Sequence, residues 1–301
     1  MNALRVLTFM PRTPLHCTRV LGVLASQAPA HSVSFSVPAH LMATLNIVLG
    51  GRLSHGSQEL PAQFATGSHT RSRRYTISPH ATLLTLFCRS DVMLELSGLS
   101  AQHFTDQWLS TYQVFPAWHS PNLAENACAA DVAKAMLDSV KPPHPPQVTS
   151  KPDANLSALI TVLPRMAHLP LKTVTQELGW SERRLQRLCS TYWGAPPKLL
   201  QRLMRLQHGL KLWTEQPTDL ADLAAQIGLF DQAHLVREFR QLVGHPPRLL
   251  YAAGNGSQAQ NRSSTDKDAL WALETGNELL APLWLSDFSK TASASVDTLA
   301  P

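Results

Sequence analysis

The feature that most narrows the folds open to this chain is a duplicated plan in its second half, in which an apolar-periodic segment is broken by one glycine and closed by Gly-x-Pro-Pro-basic. The first copy runs from Leu171 through Gly179 to Leu188 and closes with Gly194-Ala-Pro-Pro-Lys198. The second runs from Asp219 through Gly228 to Leu242 and closes with Gly244-His-Pro-Pro-Arg248, and Gly228 lies 49 residues after Gly179. In the first copy Val174 and Leu178 share one helical face, Gly179 supplies a positive-φ turn, Ser181 is placed to cap the next helix, and Leu185 and Leu188 face back inward. In the second, Leu223 and Ile227 form the apolar face, small Ala224 lets two helices approach, Asp231 caps, and Leu235, Phe239 and Leu242 face inward. A glycine followed by prolines ends one helix and opens another. The pattern therefore predicts helix, tight turn, helix, twice over.

Around these units the period stays helical. Leu156, Leu159, Ile160 and Leu163 lie on one face, and Leu199, Leu203, Leu206, Leu210 and Trp213 keep the spacing of one long amphipathic helix. No strand pattern appears between Leu156 and Tyr251. Five prolines in the twelve residues from Lys141 to Pro152 forbid helix continuation and set a spacer near the middle of the chain. Before it, Leu45 to Leu49, Arg74 to Ile77 and Thr82 to Cys88 read as short strands, and Leu123 to Val140 reads as helix. The expected fold class is α+β: a β-rich N-terminal domain over 1–140, a Pro-rich linker over 141–152, an all-α domain over 153–254 with two helical subdomains joined by a long helix, and a mostly disordered tail over 255–301. Within that tail an apolar stretch from Ala269 to Leu285 is expected to dock on its own chain or on a second subunit.

Charge adds direction. From Lys151 to Gly254 there are 13 Lys plus Arg against 8 Asp plus Glu, while the remainder of the chain has 13 against 13, so the whole net charge of +5 sits in one third of the protein. A concentrated positive field favours a polyanionic partner through counterion release. No run approaches the length needed to span a bilayer, and the signal-like first thirty residues are interrupted by Pro11, Arg12, Pro14, His16 and Arg19, so a cytoplasmic protein is expected. Cys17, Cys88, Cys128 and Cys189 stand singly and read as buried reduced thiols.

With Leu185 and Leu188 turned inward, Arg183, Arg184, Gln186 and Arg187 point outward on the same helix. Arginine and glutamine suit bidentate contact with guanine and adenine edges. A solvated charged face is the plain alternative; a second copy in the same basic segment, with Gln232, His234, Val236 and Arg237 toward solvent, favours double-stranded DNA as the partner. A helical interaction module without DNA activity would account for the helices and leave the clustered charge unexplained.

The chain here resembles the AraC/XylS family of transcription regulators. The resemblance rests on Trp180-Ser-Glu-Arg-Arg-Leu-Gln-Arg-Leu188, Gly194-Ala-Pro-Pro-Lys198, Arg202-Leu-Met-Arg-Leu-Gln207, and Gly228 to Gly244 with Asp231-Gln-Ala-His-Leu-Val-Arg-Glu-Phe-Arg240, and covers about Leu156 to Ala253. It implies seven helices, a long one from Pro197 to about Glu215, and two helix-turn-helix units whose recognition helices enter successive major grooves. It assigns base reading to Arg183, Gln186 and Arg187 in the first unit and to Gln232, Ala233, Val236 and Arg237 in the second. Arg184, Ser181, Lys198, Arg202, His234 and Arg240 are the expected backbone-contacting or supporting residues. Three positions depart from the family pattern: Thr175 replaces a small Ala, Leu229-Phe230 moves the aromatic by one place, and Leu250-Tyr251 replaces an aromatic-Arg ending.

The N-terminal half resembles more loosely the sensor or dimerisation segments that precede such domains, with Leu60 to Gly67 and Leu96 to Leu99 as its matching pieces. The resemblance implies an activator with RNA polymerase, a small-molecule effector and a second copy as further partners, and no ligand residue is assigned. Eight of the 13 histidines fall in this half, including His40, His55, His69, His80, His103 and His119, without ligand pairing, and read as surface residues rather than a metal site. Trp108, Tyr112, Phe115 and Trp118 read as core before pocket. No His-Glu-x-x-His, Gly-x-Ser-x-Gly or phosphate-binding glycine loop is present, so neither catalysis nor a cofactor is expected. The alternative is a DNA-binding domain fused to an unrecognised enzymatic N-terminal domain.

Overall fold

The structure is a computed structural model that describes residues 5–9, 20–115, 128–140, 153–215, 218–244 and 246–247. Its N-terminal part holds ten strands: β1 (Arg5–Phe9), β2 (Val20–Gln27), β3 (Val33–Val37), β4 (Met42–Leu49), β5 (Leu53–His55), β6 (Gln58–Glu59), β7 (Gln63–Thr66), β8 (Arg73–Ile77), β9 (Thr82–Arg89) and β10 (Leu109–Ser110). They form a six-stranded sheet in the order β1-β2-β9-β4-β7-β10 and a four-stranded sheet in the order β3-β8-β5-β6. The paired strands are antiparallel, with Leu45 opposite Leu86 and Phe35 opposite Tyr75.

Strand β4 is buried on both faces because each has a partner. Ala43, Leu45 and Ile47 pack with Leu84, Leu86, Val132, Ala133 and Met136. The last three lie on the helix α3 (Ala129–Ser139), whose apolar stripe closes this face of the large sheet. On the other face Val48, Phe64 and Leu83 meet Phe35, Leu53, Tyr75 and Ile77 of the small sheet. Thr44 and Asn46 also lie on this second face by the two-residue alternation of a strand. Their buried polar groups are satisfied within the sheet: the Thr44 and Thr66 hydroxyls are 2.9 Å apart, Asn46 Nδ2 donates to Thr44 Oγ1 at 2.8 Å, and Thr85 Oγ1 donates to Asn46 Oδ1 at 2.9 Å. Two further short helices, α1 (Asp91–Ser97) and α2 (Thr111–Val114), and a 3-10 turn at Ala101–His103 complete this part.

The second part is helical: α4 (Ala154–Met166), α5 (Leu171–Leu178), α6 (Glu182–Trp193), α7 (Pro197–Glu215), α8 (Leu220–Gln226) and α9 (Gln232–Leu242). No strand occurs among the described residues from 153 onward, as the periodicity requires. The long helix has the expected bounds, Pro197–Glu215, and buries Leu199, Leu203 and Leu206; the side chains of Leu210 and Trp213 lie outside the description. The seventh helix that the resemblance implies, the linker at 141–152 and the tail at 255–301 fall outside the described residues. No helix of the described residues is long and apolar enough to cross a membrane.

Several expectations are corrected. The signal-like apolar stretch forms β2, with Val20, Val23 and Ala25 buried in the core. The helix expected from Leu123 is described from Ala129, after the extended N-cap residue Cys128. Cys88 and Cys189 are buried, but Cys128 is exposed because it precedes the first buried position of α3; Cys17 is outside the description. His40 and His69 are buried, not surface residues. Their backbones form a bridge, with His40 N–H donating to His69 O at 3.1 Å and His69 N–H to His40 O at 2.9 Å, and this pairing carries both rings inward. Of the four aromatics, Phe115 is core, Trp108 is half-buried with its indole N–H on Tyr75 Oη, Tyr112 is exposed, and Trp118 is outside the description.

Candidate nucleic-acid interface

Each helical unit is built by its caps. Gly179 ends α5 at φ +63°, and Ser181 starts α6 by accepting the Arg184 N–H at 3.2 Å. In the second unit Asp219 accepts the Ala221 and Asp222 N–H groups at the start of α8, and Asp231 accepts the His234 N–H at 2.6 Å at the start of α9. Gly228 turns between them at φ +72°. Thr175 is accommodated at the helix contact without a stranded hydroxyl, since its Oγ1 donates to Lys172 O at 2.8 Å.

The inward faces are those the pattern required. Leu185, Leu188, Cys189 and Trp193 of α6 and Leu235, Phe239 and Leu242 of α9 enter one core with Val174, Leu200, Leu203, Leu223 and Ile227. Burial pushes the Cys189 thiol up to about 12, so it stays a neutral packing group. Tyr192 donates its hydroxyl to Asp153, the N-cap of α4; desolvation, then that bond, pushes Tyr192 up to about 12, and the same bond holds the Asp153 carboxyl below the usual range.

The outward face of α6 carries Arg183, Arg184, Gln186 and Arg187, all exposed, which with Ser181 line an open depression of ≈ 540 Å³. Arg184 differs from the others. Its guanidinium donates to Asn155 Oδ1 at 2.9 Å and lies 4.9 Å from the Trp180 ring centre, so it braces α6 against α4. Among the described residues none pairs with the side chains of Arg183, Gln186 or Arg187. On α9, Gln232, Ala233 and Arg237 are exposed and Val236 is half-buried.

The supporting residues divide. Lys198 and Arg240 are exposed. Arg202 is half-buried and already engaged, with Nε donating to Glu238 at 2.9 Å and an Nη to Gln241 at 2.7 Å, tying α7 to α9. His234 sits 3.8 Å from Glu238, one turn along its own helix.

Sequence reasoning missed one arrangement. The β-rich part grips the C-terminal ends of both α6 and α9. Ser68 Oγ donates to Trp193 O at 2.5 Å and Thr105 Oγ1 to Gly194 O at 2.8 Å, while Ala39 N–H donates to Leu242 O at 2.6 Å and Ser72 N–H to Gln241 O at 3.2 Å. Ala39, Leu41 and Met42 enter the same core as the helices. Four otherwise orphaned carbonyls near the ends of the two helices thus find donors in one domain. The signals in the sequence were Gly194, where a Cβ would lie 2.8 Å from Ala101 O, and Gly244, where one would lie 2.7 Å from Ser72 Oγ.

Residues 174–251 match the family model for a helix-turn-helix domain. No curated protein matches the chain. Solved structures similar to it include ToxT from Vibrio cholerae, at 9% identity and a TM-score of 0.38 over 75% of this chain and 95% of that one. Another is unsaturated fatty acid bound wild-type ToxT from Vibrio cholerae strain SCE256, at 11% identity and a TM-score of 0.40 over 78% and 95%. A third is the AraC-like transcriptional activator CuxR, at 14% identity and a TM-score of 0.23 over 70% and 87%.

Proposed function

We propose, from the premise that the C-terminal region is an AraC-type helix-turn-helix domain, that this chain is a sequence-specific transcription activator that lays α6 and α9 into successive major grooves of one duplex. The observation that carries the reading is the exposed trio Arg183, Gln186 and Arg187, left unengaged among the described residues on a helix whose opposite face is buried core. Maintaining three such side chains in water contributes little to stability, whereas guanidinium and amide groups at these positions match purine edges. Arg237 and Gln232 play the same part on α9, and Lys198 and Arg240 supply phosphate contacts. Arg184 and Arg202 act by bracing the two helices.

The β-rich domain takes the regulatory role, as a sensor of a small molecule or a dimerisation unit, since its contacts reach the ends of both recognition helices. RNA polymerase is the further partner of an activator.

The test is affinity for a fragment selected from random DNA by the full-length protein, measured beside a scrambled duplex. Arg187→Ala or Gln186→Ala is expected to cost about 1–3 kcal/mol on the selected fragment and to leave scrambled DNA nearly unchanged. Equal losses on both duplexes would show that these side chains touch only phosphates. Reporter transcription that rises with the protein present checks the sign of regulation.

A further inference from the structure

The two turns differ in length. In the first unit one residue, Trp180, separates the positive-φ glycine from the N-cap Ser181; in the second, two residues, Leu229 and Phe230, separate Gly228 from the N-cap Asp231. Leu229 does the packing, being 8% exposed within the helical core. Phe230 is 92% exposed, the highest value of any large hydrophobic side chain among the described residues.

An apolar residue just before an N-cap usually packs on the fourth residue of the helix. Here that residue is Leu235, whose side chain is fully buried in the core, so Phe230 stands away from the contact that would give it a structural purpose. It projects beside the start of α9, the end of a recognition helix that meets base edges. Along the outer face of α9, Ala233 and Val236 carry no hydrogen-bonding groups, in contrast to the Arg183, Gln186 and Arg187 set of α6. Apolar side chains recognise the C5-methyl group of thymine, the one apolar mark in the major groove.

We infer that Phe230, with Ala233 and Val236, forms an apolar reader that packs on thymine methyl groups in the groove entered by α9, so that the two units select chemically different half-sites. The first half-site is read by hydrogen bonds to purines, and the second by methyl contact beside the hydrogen bonds of Gln232 and Arg237. The inference rests on the DNA-reading function proposed above and adds the residue and the base chemistry of its second unit.

The experiment uses the full chain, the selected fragment, and the same fragment with deoxyuridine replacing thymidine in the half protected by the second unit. Phe230→Ser removes an exposed ring and leaves the core intact. It is expected to weaken binding to the thymidine fragment by roughly five- to tenfold. Deoxyuridine is expected to weaken wild-type binding by a similar factor and to have little further effect on the variant. Unchanged binding by Phe230→Ser, or equal sensitivity of both proteins to deoxyuridine, overturns the inference, the latter showing a ring packed on sugar instead. A lower sedimentation coefficient for the variant without DNA also overturns it, since Phe230 would then be buried between copies. If Arg187→Ala loses selectivity while Phe230→Ser does not, this inference falls and the DNA-reading function stands; if wild-type protein selects no sequence, both fall.

Discussion

Acidification should loosen the protein through a histidine pair at the root of the contact between its two parts. The His40 and His69 rings lie 4.5 Å apart, each nearly inaccessible to water. His40 Nδ1 accepts the Met42 N–H at 3.2 Å, and both ring nitrogens of His69 are buried without a partner among the described residues. The ionisable groups around them are Arg73, bound to Asp106 at 2.8 Å, and the His55 ring. Desolvation lowers His40 from 6.5 to about 4, and lowers His69 well below its usual value with further repulsion from His40 and Arg73. Both are therefore neutral in the folded protein near neutral pH.

The sign follows from proton counting. Between pH 6.5 and 4 the unfolded chain binds a proton at His40 and the folded chain does not, so stability is full above 6.5 and falls as pH drops. For His40 alone the loss between pH 6.5 and 4.5 is about 2 kcal/mol. Asp106 separates out because burial raises it while hydrogen bonds from Thr70 and Arg73 hold it below its usual value, so its own loss falls at lower pH. Urea unfolding at half-unit steps from pH 7.5 to 4.5 measures the slope. His40→Asn keeps an acceptor for the Met42 N–H and removes the titration, so the variant should lose about 2 kcal/mol less than wild type across that window. Parallel losses in the two proteins would refute the reasoning.

Two further outcomes test the contacts that position α6 and α9. Gly194→Ala places a Cβ 2.8 Å from Ala101 O at a φ of +69°. It should lower stability by about 3 kcal/mol in urea unfolding, whereas Gly179→Ala, in open space at φ +63°, should cost only about 1 kcal/mol. Asp231→Ala removes the side-chain cap of the His234 N–H and should cost about 1 kcal/mol, with faster amide exchange confined to the first turn of α9.

The helical part was largely legible because its determinants are local. Ser181 and Asp231 cap their own helices, Gly179 and Gly228 turn where the pattern places them, and the leucines at helical spacing are the ones buried. The outward position of Arg183, Gln186 and Arg187 follows from the same periodicity, since a helix with one apolar stripe must turn its other residues to water. The tasks of Arg184 and Arg202 did not follow. Their partners, Asn155 and Glu238, lie 29 and 36 residues away on other helices, and nothing local distinguishes a bracing arginine from a free one.

The β-rich part was less legible for the same reason. Of its ten described strands three were foreseen, as β4, β8 and β9, which carry long apolar or β-branched runs. The two-residue strands β6 and β10 exist through pairing with β5 and β7. A strand's side chains alternate between two faces, and which neighbours cover those faces is settled only by sheet order.

By itself, then, the amino-acid order determined what can be decided within a turn or two of chain: caps, helix lengths, the duplicated unit, and which faces meet water. Tertiary structure alone decided which distant residues meet. It buried His40 against His69, set Ser68, Ser72, Ala39 and Thr105 on the ends of α6 and α9, and left Phe230 outside while Leu229 went in. The physical reason is that hydrogen bonds within a helix or at its cap join near neighbours whatever the rest of the molecule does, whereas desolvation and packing depend on whatever the folded chain brings alongside.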